Sequence, residues 1–242
     1  MRSIGIKALG LVAAAAIHSH AIFGLGGHWA PAPGLTVKSE TKNVGTTGVS
    51  LVRGEVSGLQ GFGMKLWIDA LPFIDIEGTT NIQFGFYDLS VIGGGDTVEV
   101  VAPLDVPMVD DKPGFARITS DISVLYPFLK LPPAISLVKF YAGGGLTHVL
   151  STEVLSEELA RKAVAKAGAT TPEAVAEALT DVLKDEGFTN GVGFHLMAGA
   201  QVKPPIIPLA VYANMKYHFI GSQPNAVDEN SLTFELGGAL AF

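Results

Sequence analysis

The residues to weigh first for chemistry are the histidines His28, His148, His195 and His218. A neutral imidazole can hold a metal or act as a general base, and both roles need partners close by. His148 stands three residues before Ser151 and His218 four before Ser222, the pairs that a lipid-modifying reaction could use. Asp75 and Glu77 could be paired carboxylates for hydrolysis. Any two polar residues at i and i+2 of a strand share a face, however, and no nucleophile accompanies these. The four histidines lie in different segments and show no metal-ligand spacing. Gly93-Gly94-Gly95 and Gly143-Gly144-Gly145 lack the strand–loop–helix frame of a phosphate loop. The first fits a loop, the second a strand kink or tight packing. No catalytic, cofactor-binding or metal-ligating residue is assigned, and the expectation is a protein without enzymatic activity or cofactor.

The elements that carry these residues are strands. Hydrophobic residues make up 48% of the 242, and charged residues only 16%, against about 25% in ordinary soluble domains. That apolar excess needs a large core or lipid to hide in. No apolar run reaches the ~18 residues of a helical span; the longest, Ala8–Ile17, lies at the N-terminus. Twenty-nine glycines and fourteen prolines favour many strands and turns. With no cysteine, disulfides and thiolate metal sites are excluded.

Met1–Ala21 reads as a secretory signal. Arg2 and Lys7 form its positive start, Ala8–Ile17 its apolar centre, and Ser19-His20-Ala21 a small-residue cleavage site. Its removal takes two positive charges and moves the net charge from −7 to −9. Residues 22–242 are then one mature domain.

In Ser231–Phe242, Leu232, Phe234, Leu236, Gly238, Leu240 and Phe242 alternate with Ser231, Thr233, Glu235, Gly237, Ala239 and Ala241. Period two places the large apolar groups on one face, and the length suits a tilted membrane strand of about 9–11 residues. The same alternation marks 209–219, 192–202, 138–148, 74–86 and 62–70, and more weakly 23–29 and 116–126. These are eight strands, an even number that closes an antiparallel barrel. Residues 35–40, 49–57 and 97–102 also have β character; they either extend strands above the membrane or form an extra pair, giving ten.

Loop lengths alternate as well. Long connections at about 31–60, 88–113, 150–190 and 220–230 are separated by proline-containing shorter ones at Leu71-Pro72, 127–136 and 203–207. Eighteen of the 23 acidic residues fall in the long loops, whereas the shorter connections hold only Lys130 and Lys203 as charges. Short inner turns and long outer loops are what a barrel of the outer membrane requires. No charge falls on the apolar face of any strand, where it would cost about 2–4 kcal/mol at mid-membrane.

The pattern resembles the small eight-stranded outer-membrane barrels of the OmpA-transmembrane, OmpX and Opa kind. The resemblance rests on the signal, the strand–loop rhythm and the final strand Leu232-x-Phe234-x-Leu236-x-Gly238-x-Leu240-x-Phe242. It implies an antiparallel up-and-down transmembrane β-barrel in the outer membrane of a double-membraned, Gram-negative bacterium. It further implies that Phe242 is an assembly signal read by the barrel-assembly machinery, and that lipid and lipopolysaccharide surround the wall. No nucleic-acid partner is expected.

Inside such a barrel, Lys65, Arg117, Lys139 and Lys216 face Asp69, Asp75, Glu77, Asp121 and Glu235. An interior this narrow is filled by its side chains, so these charges are expected to neutralise one another. The long loop at about 151–189 is expected to be helical over Ser156–Lys166 and again from Thr171-Pro172-Glu173 to Asp185. Val175, Leu179, Val182 and Leu183 make one apolar stripe there. The function expected is structural or surface-interacting. The alternatives are binding or transport of a small molecule or lipid with the helical loop as a lid, a lipid-modifying enzyme, or a soluble exported β-sandwich or lipocalin-like carrier.

Overall fold

A computed structural model describes residues 23–37, 39–44, 48–69, 73–100, 114–132, 137–152, 157–168, 171–185, 188–204, 207–221 and 230–242. The expected signal, Met1–Ala21, and Ser222 lie outside them. Among the described residues there are thirteen strands: β1 (Phe23–Trp29), β2 (Ala32–Val37), β3 (Glu40–Asn43), β4 (Ser50–Arg53), β5 (Val56–Ile68), β6 (Asp75–Phe86), β7 (Leu89–Gly93), β8 (Asp96–Glu99), β9 (Gly114–Leu131), β10 (Val138–Thr152), β11 (Phe188–Val202), β12 (Leu209–Ile220) and β13 (Ser231–Ala241). Two helices, α1 (Glu157–Ala167) and α2 (Pro172–Asp185), stand between β10 and β11.

Eight of the strands form a ring in the order β1-β13-β12-β11-β10-β9-β6-β5, and β5 pairs again with β1. Every pairing is antiparallel, which makes an up-and-down barrel. The ring holds eight strands, not ten. Phe23 and Phe242 exchange backbone hydrogen bonds of 3.1 and 2.9 Å at the closing seam, and their rings meet at 5.5 Å with a 33° tilt. β2 continues the line of β1 beyond Pro31: Ala30 donates to Gly61, Phe234 donates to Pro31, and Ala32 lies opposite Leu59.

The alternation along each strand places its apolar residues on the outer wall. Leu196, Val211 and Ile122 are exposed there, while their sequence neighbours are buried inside. Aromatic residues gather toward both rims, with Phe23, Phe73, Tyr126, Phe128 and Phe242 at the short-turn end. Trp29, Phe62, Phe84, Phe194 and Tyr217 sit toward the other. An apolar band between aromatic girdles fits a membrane wall. Gly143 and Gly145 let the strands approach closely, since a Cβ on either would meet the Val124 and Ile122 carbonyl oxygens at 2.1 and 1.8 Å.

Beyond the barrel rim the chain builds a second layer. β3, β4, β7 and β8 form a separate four-stranded sheet, so the extra β character of the loops is a cap rather than more barrel. Gly94 and Gly95 turn the β7–β8 hairpin with φ of 62° and 94°, the positive values that a two-residue primed turn demands. α2 packs on β7 and β8 and against α1. Leu51, Leu89, Val91, Ala163, Val175 and Leu179 share one buried core that runs down to Leu59 and Phe115 at the barrel mouth. The helices thus rest on this sheet. The stripe residues Val175, Leu179 and Val182 are buried, whereas the Leu183 side chain lies outside the described residues.

Candidate functional site

The polar face of each strand points into the barrel, and the register decides who meets whom. β6, β9, β12 and β13 bring Glu77, Asp121, Lys216 and Glu235 to the centre, all buried. Lys216 Nζ lies 2.9 Å from Glu235 Oε1, 3.3 Å from Asp121 Oδ2 and 3.6 Å from Glu77 Oε1, and it donates to Thr79 Oγ1. One ammonium therefore ties together strands on opposite sides of the ring. Lys65 pairs with Glu77 and stands 4.2 Å from the centre of the Tyr212 ring.

Neutral groups complete this centre. Asn81 and Asn214 donate to the two Glu235 oxygens at 3.1 and 2.7 Å. Tyr141 donates to Asn214 Oδ1 at 2.6 Å. The His28 ring meets Tyr212 Oη at 2.9 Å and Asn81 Oδ1 at 2.6 Å. Buried ions need such hydrogen bonds around them, because their mutual attraction alone rarely offsets desolvation.

The nine inward charges do not form one network. Lys139 pairs with Asp75 at 2.7 Å and Asp69 at 3.2 Å near the short-turn rim. Lys203 lies beside this group; burial pulls its ammonium below the ordinary lysine value and Asp69 draws it back up. Arg117 sits fully buried toward the cap and donates to Ser231 Oγ at 2.6 Å. Lys65, Glu77, Asp121, Lys216 and Glu235 make the central group between these two.

The histidines require a correction. His195 and His218, distant in sequence, are register partners across the β11–β12 hairpin. With Asp121 they form a buried trio whose ligand-type atoms lie within 4.8 Å of one another. Linear spacing hid this geometry; a hairpin register counted outward from the 203–208 turn exposes it. The trio is already engaged in hydrogen bonds. Asp121 accepts from Thr147 at 2.8 Å and from His218 and Lys216 at 3.3 Å. His195 meets Ser123 at 2.8 Å and Thr147 at 2.9 Å. A divalent ion there would sit beside the Lys216 ammonium, so the arrangement suits a proton-bearing network better than a cation site.

The His/Ser pairs fare differently. His148 points out from the barrel wall and Ser151 points in, so β10 holds them on opposite faces. Of the second pair, His218 lies in the interior trio. Members of the network that sequence patterning did not single out are Asn81, Tyr141, Tyr212 and Asn214. Inward parity was their only signal.

In the cap, Tyr87 is buried with the apolar core, and that burial pushes its phenol up to about 12, with Arg53 pulling the other way. Arg53 itself reaches Glu40 at 3.7 Å across β3 and β4.

No family model and no curated protein matches the sequence. Among solved structures the chain is similar to the outer membrane protein OprG from Pseudomonas aeruginosa, at 12% identity over 91% of this chain and 95% of that one, with a TM-score of 0.51. Looser likenesses are to Neisserial surface protein A, at 15% identity, 91% and 97% coverage and a TM-score of 0.45. A further one is to Ail, the attachment invasion locus protein of Yersinia pestis, at 12% identity, 91% and 97% coverage and 0.42. The fold is that of the small outer-membrane β-barrels, with the apolar wall that residence in the bacterial outer membrane requires.

Proposed function

We propose that this protein is a sealed, non-enzymatic outer-membrane anchor that presents a compact sheet-and-helix cap as an interaction surface on the cell exterior. The observation that carries this reading is the Lys216 centre, where buried side chains from β6, β9, β12 and β13 converge from opposite sides of the ring. A bundle of paired ions at the middle of an eight-stranded barrel leaves its interior occupied, as that strand number allows. The cap adds a second closure, since its apolar core continues from the helices through the sheet to Phe115 and Leu59 at the rim. In this reading lipid and lipopolysaccharide contact the outer wall, and Phe242 at the closing seam is the signal for the assembly machinery.

The test uses the absence of native cysteine. Glu173→Cys, exposed on α2, is expected to react with a membrane-impermeant maleimide on intact cells. Ile207→Cys, in the β11–β12 turn, is expected to react only after the outer membrane is permeabilised. The reverse pattern contradicts display of the cap at the surface.

A further inference from the structure

The outer wall carries one row that does not fit its surroundings. Thr80 on β6 lies opposite Ser120 on β9, which lies opposite His148 on β10, and all three point outward. The Thr80 and Ser120 hydroxyls are 3.5 Å apart. The row above is Ile82, Ile118 and Leu150, and the row below is Gly78, Ile122 and Leu146. Two hydroxyls and an imidazole therefore stand between apolar rows on the outer wall.

The wall is also hollowed beside this row. Gly78 offers no side chain, and a Cβ there would find only the Asp121 carbonyl, 4.0 Å away. The resulting hollow holds about 430 Å³. Leu25, Met64, Leu66 and Ile122 form its sides, Thr80, Ser120 and His148 one edge, and the strands at Lys65, Thr79 and Asp121 its floor. That volume lies in the range of small-molecule sites, and the lining follows the usual recipe of apolar walls with a few convergent polar groups.

We propose that this hollow is a binding site for a small amphiphile dissolved in the bilayer, an apolar molecule bearing one hydroxyl or carbonyl group. Its apolar body fills the space over Gly78, and its polar group takes the hydrogen bonds that Ser120 and His148 offer. A concave dent favours such a molecule over a second copy of the barrel, whose convex wall has to send a side chain into it. The site lies in the wall and is independent of whether the barrel interior is sealed.

Photolabelling tests this. The full-length protein, in phosphatidylcholine vesicles, is exposed to a diazirine-bearing octanol or to the matching octane, and adducts are mapped by mass spectrometry. The alcohol is expected to concentrate on the segments around Thr80, Ser120 and His148 by about threefold to tenfold over the alkane, the worth of one hydrogen bond. Gly78→Leu fills the dent and His148→Leu removes a polar partner; each is expected to bring alcohol labelling down to the alkane level. Heat-dependent gel mobility verifies that both variants fold. Adducts spread evenly round the wall, or unchanged in the two variants, overturn the proposal. So do Ser120→Cys disulfide dimers that excess octanol does not suppress, which assign the hollow to a second copy.

Discussion

Lys216 Nζ lies 2.9 Å from Glu235 Oε1 on the neighbouring strand, and neither side chain has any exposure to solvent. The same ammonium serves Asp121 and Glu77, so its loss leaves three carboxylates facing one remaining central cation, Lys65. Lys216→Met is expected to destabilise the barrel by about 3–5 kcal/mol, the usual result of stripping one partner from a buried ion pair. Adding Glu235→Gln to that variant is expected to recover part of the loss. Urea midpoints in lipid vesicles measure both; an unchanged midpoint for the single variant refutes the arrangement.

The cap has its own core, so damage to it can be kept apart from damage to the barrel. Leu179 is fully buried on α2 among sheet residues. Leu179→Ala is expected to cost the cap about 2–5 kcal/mol through the cavity it leaves. Hydrogen exchange of the 157–185 segment should speed up while the heat-dependent gel shift of the barrel stays the same. Loss of the shift contradicts a separable cap.

Tyr87 predicts an alkaline transition. Its folded value is held at about 12, against about 10 in an unfolded chain. Between those values the unfolded state gives up its proton first, so stability is full below pH ~10 and declines as pH rises toward 12. Near-ultraviolet circular dichroism should show the cap loosening in that window. Tyr87→Phe is expected to lack this component, and identical profiles for the two proteins count against it.

The lipid-facing wall makes a position-specific prediction. Leu196 is exposed on β11, while Met197 beside it is buried inside. Leu196→Arg is expected to cost about 2–4 kcal/mol if it lies near mid-membrane. Vesicle unfolding measures it, and a cost near zero contradicts an apolar surrounding.

Most of the ring strands were legible because they are long, keep period two and sort their charges to one side, whereas β1, with seven residues, showed the pattern more weakly. β13 is the clearest, with Leu232 to Phe242 on one parity. The cap sheet was legible only as stray β character in the loops, without its pairing. β3, β4 and β8 have four residues each, too few for periodicity, and Glu40-Thr41-Lys42-Asn43 carries no apolar residue at all. The inward charges could be named from parity, yet their grouping could not. That Arg117 reaches Ser231 depends on strand stagger, which no single strand records. His195 and His218 are the intermediate case: both have inward parity, and Val202 opposite Val211 fixes the hairpin register that joins them. The hollow over Gly78 was the least visible, since Thr80, Ser120 and His148 come from three strands and are joined only by their alignment.

A barrel occupied by its own side chains does not conduct, and single-channel recording in planar bilayers checks this. Purified protein, shown to be folded by its heat-dependent gel shift, is predicted to insert without discrete conductance steps at neutral pH. Reproducible openings from the intact protein, abolished by boiling before insertion, would contradict the ion-filled interior.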